Sequence, residues 1–98
     1  LGDGVWEGLR LHRSALLFLE AHLDRLYVGA AALRIDIGLT RAQLTESLWH
    51  LLRANGMTDG AHLRLMVTRG RKATINQDPR FAIGPATIAI TAEFKHRP

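Results

Sequence analysis

Ala61-His62-Leu63-Arg64-Leu65-Met66-Val67-Thr68 is the stretch whose reading decides the fold. Leu63, Leu65 and Val67 fall on one side of an alternating pattern, and His62, Arg64, Met66 and Thr68 on the other. A period of two over eight residues predicts a β-strand with one apolar face. An arginine in mid-strand is costly unless its charge is solvated or paired. One reading of the face opposite the leucines is therefore an open, wet sheet face that keeps the arginine solvated.

Working outward, Val5 to Leu11 alternates in the same way. Val5, Glu7, Leu9 and Leu11 lie on one side, with Trp6, Gly8, Arg10 and His12 on the other. A turn near Arg13-Ser14 and a short strand through Leu16, Leu17 and Phe18 follow. From Leu19 the period changes: Leu19, Leu23, Leu26, Tyr27, Ala30 and Leu33 form one stripe of a helix that frays near Arg34. A second helix is punctuated at both ends. Thr40 and Gln43 have capping-box spacing, Leu44, Leu48, Leu51 and Leu52 supply the apolar stripe, and Asn55-Gly56 supplies the stop. Thr87 to Thr91 alternates again, with Ile88 and Ile90 facing inward. The order strand, strand, helix, helix, strand, strand predicts an α+β domain, an antiparallel sheet covered on one side by two helices. Residues 70–85 form a long polar connection of the kind that is usually functional or mobile in a compact domain.

Composition narrows the function. A chain of 98 residues has room for one domain. With no cysteine, disulfides and thiolate metal sites are excluded. The five histidines are scattered without a helical pair, so no metal site is expected. The net charge of +4 raises the question of nucleic acid. The basic residues are scattered, though, and no aromatics alternate with them to make a stacking platform. A smaller anionic partner suits them better than a polynucleotide. The segment from Phe81 to Phe94 carries one charge, Glu93, and is too short to cross a bilayer. No signal peptide is read at the start of the chain, and a cytoplasmic protein is expected. Phosphate-loop, zinc-protease and serine-hydrolase motifs are all missing.

Three stretches carry a resemblance: Gly2-Asp3-Gly4-Val5-Trp6-Glu7-Gly8, Ala21-His22-Leu23-Asp24-Arg25-Leu26-Tyr27, and Leu63-Arg64-Leu65-Met66-Val67-Thr68-Arg69-Gly70. In this order the chain resembles the small N-terminal domain of the class IV pyridoxal-phosphate aminotransferases, the branched-chain and D-amino-acid type. The resemblance implies that residues 1–98 are that small domain, that the cofactor is pyridoxal 5′-phosphate, and that the full-length protein is a homodimer. The Schiff-base lysine is expected in a larger C-terminal domain. Lys72 and Lys95 lie in polar surroundings and do not match it, so residues 1–98 alone are expected to be inactive.

Residue by residue, the resemblance makes Arg25 the ligand of the cofactor phosphate. A guanidinium is a permanently charged planar fork suited to that task. Helix geometry alone also allows a solvated arginine paired with Asp24 or Glu20. His22 takes either a structural hydrogen bond or a part in the cofactor site. Arg64 is the matching position for the arginine that receives the side-chain carboxylate of glutamate or 2-oxoglutarate. His62 stands where the family often has tyrosine. Trp6 matches an aromatic in the wall of the substrate pocket, although a core tryptophan would give the same pattern.

In D-amino-acid aminotransferases the long loop carries an arginine and a histidine that trap the substrate α-carboxylate. Those positions are Thr74 and Asn76 here, which lack positive charge. The loop also departs from the glycine-rich segment of aminodeoxychorismate lyases. The expected reaction is amino transfer between a hydrophobic, branched-chain amino acid and 2-oxoglutarate. An amine transaminase or an aminodeoxychorismate lyase on the same scaffold, and a non-catalytic basic binding module, remain as alternatives.

Overall fold

A computed structural model describes residues 4–69 and 86–94 of the chain. Its elements run β1 (Gly4–His12), β2 (Ala15–Leu16), α1 (Leu19–Ala32), α2 (Arg41–Ala54), β3 (Ala61–Thr68) and β4 (Thr87–Phe94). The four strands form one antiparallel sheet in the order β2-β1-β3-β4.

Register follows from the alternating pattern, because a slip of one residue would expose every leucine of the inner face. Leu9 pairs with Leu63, Glu7 with Leu65 and Val5 with Val67. β4 extends that face with Ala92 opposite Leu63, Ile90 opposite Leu65 and Ile88 opposite Val67. Both helices cover this face. Leu23, Leu26 and Ala30 of α1 and Leu44, Leu48 and Leu52 of α2 join Leu9, Leu11, Leu63, Leu65 and Val67 in a single core. The predicted α+β layering is the one found.

Four details refine the expected elements. The second strand is only Ala15–Leu16, because Phe18 adopts a left-handed φ of 56° and starts α1 immediately. Arg13 and Ser14 have φ of 49° and 65°, the paired positive values of a tight hairpin whose twist matches its strands. β4 runs three residues beyond the expected Thr91, since the whole length of β3 is available to pair with it. Leu51 is half-buried at the edge of its stripe, while Leu44, Leu48 and Leu52 carry the packing.

α2 begins as its sequence prescribes. Thr40 Oγ1 accepts from the Gln43 backbone N–H at 3.1 Å, and Gln43 Oε1 accepts from the Thr40 backbone N–H at 2.9 Å. It ends where Asn55 caps and Gly56 turns at a φ of 65°, a conformation that a Cβ would disfavour. The outer face of the sheet is left open by both helices. Trp6, Met66 and Ala89 make one cross-strand row on it, Gly8, Arg64 and Thr91 the next, and Arg10, His62 and Glu93 the third.

Candidate functional site

Glu7 and Gly8 are consecutive on β1, and a strand sends consecutive side chains to opposite faces. Each anchors a polar cluster on its own side of the sheet.

On the helical side, Glu7 is the one carboxylate in the inward row of Val5, Glu7, Leu9 and Leu11. Its side chain is only 9% exposed. Burial alone would raise its pKa, but bonds from α1 more than compensate. Arg25 donates through Nε to Oε2 at 3.2 Å and through Nη2 to Oε1 at 2.8 Å. His22 Nδ1 donates to Oε1 at 2.6 Å. The Glu7 carboxyl is thereby held below its ordinary value. The Arg25 guanidinium rises above its own ordinary value through the same hydrogen bond and charge.

His22, Arg25 and Gly29 are spaced i, i+3 and i+7 and share a stripe of α1. A Cβ built on Gly29 would stand 2.9 Å from Cγ1 of Val5. Glycine therefore lets α1 lie close against β1, and the same approach brings Arg25 and His22 onto Glu7. The Arg25 side chain remains 70% exposed. Two of its nitrogens are fixed by Glu7 and the rest of the fork faces outward. A rigid, exposed guanidinium is well suited to an anionic phosphate, so the residues present fit that group. The pairing with Asp24 or Glu20 allowed by helix geometry does not form. Asp24 instead pairs with Arg41, whose guanidinium also lies 5.2 Å from the centre of the Tyr27 ring.

On the open side, Gly8, His62, Leu63, Arg64, Thr91 and Glu93 line a cavity of about 200 Å³. A Cβ on Gly8 would meet nothing within 4 Å, so the cavity floor is low where glycine leaves it empty. Arg64 stands across from Gly8 on one side and Thr91 on the other. His62 Nε2 is buried with no hydrogen-bond partner among the described residues, an unusual condition for a polar atom. Trp6 is 59% exposed, which removes the core reading. It stands on the cavity's face, two residues from Gly8, without lining the cavity itself.

His62 and Arg64 are thus brought together, Trp6 lies beside them, and Arg25 belongs to the cluster on the opposite face. Thr74, Asn76, Lys72 and Lys95 lie outside the described residues. Among the described residues no group of three or more His, Cys, Asp or Glu could hold a metal. No described helix is long and apolar enough to cross a membrane.

Sequence reasoning missed Glu7 and Glu93. Glu7 had left a signal, a lone carboxylate in an apolar strand row. Glu93 had left none, since its place depends on how far β4 extends.

The class IV amino-transferase family model matches residues 4–98. The chain belongs to that family. It is 42% identical over 94 residues to branched-chain-amino-acid aminotransferase-like protein 1 of Arabidopsis thaliana, an alignment covering 96% of this chain and 17% of that one. It is 41% identical over 70 residues to the D-alanine aminotransferase of Bacillus licheniformis, covering 71% of this chain and 24% of that one. Among solved structures, the T.th. branched-chain amino acid aminotransferase, in complex with N-(5′-phosphopyridoxyl)-L-glutamate, superposes with a TM-score of 0.76 at 28% identity. That superposition covers 96% of this chain and 32% of the neighbour. The chain therefore spans about a third or less of each of these proteins. Class IV aminotransferases depend on pyridoxal phosphate.

Proposed function

We propose that residues 1–98 are the small N-terminal domain of a transaminase that moves amino groups between a branched-chain amino acid and 2-oxoglutarate. The observation that carries this reading is the back-to-back placement of two cationic groups about Glu7 and Gly8. Arg25 is braced for a phosphate on one face, and Arg64 stands at an open cavity on the other. A cofactor anchored by its phosphate and a substrate anchored by a distal carboxylate need two such groups a short way apart.

In this reading Arg25 binds the phosphate of pyridoxal phosphate, Glu7 fixes the direction of its fork, and His22 holds Glu7 from the other side. When bound, the cofactor supplies the electron sink for amino transfer. Arg64 receives the distal carboxylate of glutamate or 2-oxoglutarate. His62 offers a further polar contact, and Trp6 forms an apolar wall where a branched side chain would lie. The cofactor-bearing lysine belongs to a larger C-terminal domain, and residues 1–98 alone are inactive. The full-length protein works as a cytoplasmic homodimer.

Purified full-length protein should show the spectrum of bound pyridoxal phosphate and transaminate L-leucine with 2-oxoglutarate. Arg64→Met should raise KM for 2-oxoglutarate with a smaller effect on that for leucine. Equal losses would make Arg64 structural. The 41% identity over 70 residues to the D-alanine aminotransferase of Bacillus licheniformis supports a second reading, and turnover of D-alanine in place of L-leucine would establish it.

A further inference from the structure

Arg64 is not the only charge at its cavity. Glu93 lies directly across from His62, and Thr91 directly across from Arg64. Arg64 and Glu93 are therefore diagonal neighbours on one face of an antiparallel pair, about 7 Å apart and within reach of long side chains. Both line the same cavity, and both are exposed to it. Among the described residues neither makes an ion pair with the other or with any third group. Among the described residues, Arg10, across from His62 on the same row, is the other formal charge on this part of the face.

A distal carboxylate arriving at Arg64 would meet a second carboxylate within a Debye length, where salt does not remove the repulsion. An apolar side chain arriving at the same place would meet no such opposition.

We infer that Glu93 sets the substrate selectivity of this cavity, competing with the distal carboxylate of a dicarboxylic partner and tilting the chain toward monocarboxylic ones. The inference rests on Arg64 being the carboxylate receptor proposed above. It adds that the receptor is weakened by an acid two residues further along β4 than the arginine's cross-strand neighbour.

Glu93→Gln in the full-length protein tests it, since the amide keeps the shape and removes the charge. Two quantities are read for the parent, for Glu93→Gln, for Glu93→Asp and for Arg64→Met. One is the calorimetric affinity for glutarate, a dicarboxylate that cannot react. The other is the ratio of KM for 2-oxoglutarate to KM for 4-methyl-2-oxopentanoate. In Glu93→Gln, glutarate should bind about three- to ten-fold more tightly and the KM ratio should fall by the same factor, the size expected of one like charge at this range in a partly screened site. Glu93→Asp should stay near the parent. If Arg64→Met weakens glutarate while Glu93→Gln leaves it unchanged or weakens it too, Arg64 is the receptor and Glu93 merely orients it or stands aside, which overturns the inference. If Arg64→Met has no effect on glutarate, the receptor reading itself is wrong.

Discussion

Glu7 and Arg25, eighteen residues apart in sequence, meet in a two-pronged ion pair, with Nη2 to Oε1 at 2.8 Å and Nε to Oε2 at 3.2 Å. One partner lies almost wholly beneath the helix and the other is mostly in solvent. Such a pair contributes little to stability at its exposed end, but it fixes the direction of a cation. The outward half of the guanidinium is left in one orientation instead of many.

Arg25→Ala should weaken pyridoxal-phosphate binding to the full-length protein by roughly ten- to a hundred-fold. That is the size expected of losing one charged phosphate contact. Spectral titration of the apoprotein measures it, and an unchanged affinity would leave Arg25 as a partner for Glu7 and nothing more.

Acid should unfasten the same cluster. The folded Glu7 carboxyl titrates below its ordinary value of 4.5, so its stabilising effect is complete above that pH and is lost as pH falls through the lower folded value. Glu7→Gln should cost stability at pH 7, and the gap from the parent should narrow as the pH falls below 4.5. Urea unfolding at the two ends of this range gives the comparison. A gap that does not change with pH would mean that the Glu7 charge is not what holds α1.

Gly29→Ala should fail to give the usual gain. Replacing glycine by alanine inside a helix ordinarily stabilises by about 1 kcal/mol. Here the new methyl would press on a β-branched side chain, Cγ1 of Val5 at 2.9 Å, and should push α1 away from β1. Stability and cofactor affinity should both fall, and Val5→Ala in the same protein should recover part of the loss. A stabilised Gly29→Ala variant with parental cofactor affinity would show that the close approach is unnecessary.

Thr40→Ala should cost about 1 kcal/mol by removing one arm of the capping box. Gln43→Ala removes the other arm, and the double variant should cost less than the sum because the two bonds support one another. Denaturant midpoints of the three variants decide it, with strict additivity counting against a reciprocal cap.

Much of this architecture was already legible in local patterns. The alternation over Ala61 to Thr68 specified which side chains share a face, and burial of Leu63, Leu65 and Val67 beneath the helices follows directly. The Thr40 and Gln43 pair and the Asn55-Gly56 stop marked both ends of α2, since capping is chemistry between near neighbours. Arg25 and Arg64 stood out through the short strings around them.

What the sequence determined by itself was therefore everything with a short period or a short reach: strand faces, helix stripes, caps and the tight hairpin. Only the tertiary structure decided which partners meet across the chain. It chose Glu7 over Asp24 and Glu20 as the partner of Arg25, because α1 crosses β1 closely at Gly29 and Val5. It set Glu93 beside Arg64, because β4 pairs with β3 along its full length. Both relationships join residues that no local pattern links, and a charge reveals its partner only after the backbone has placed the two within a few ångströms.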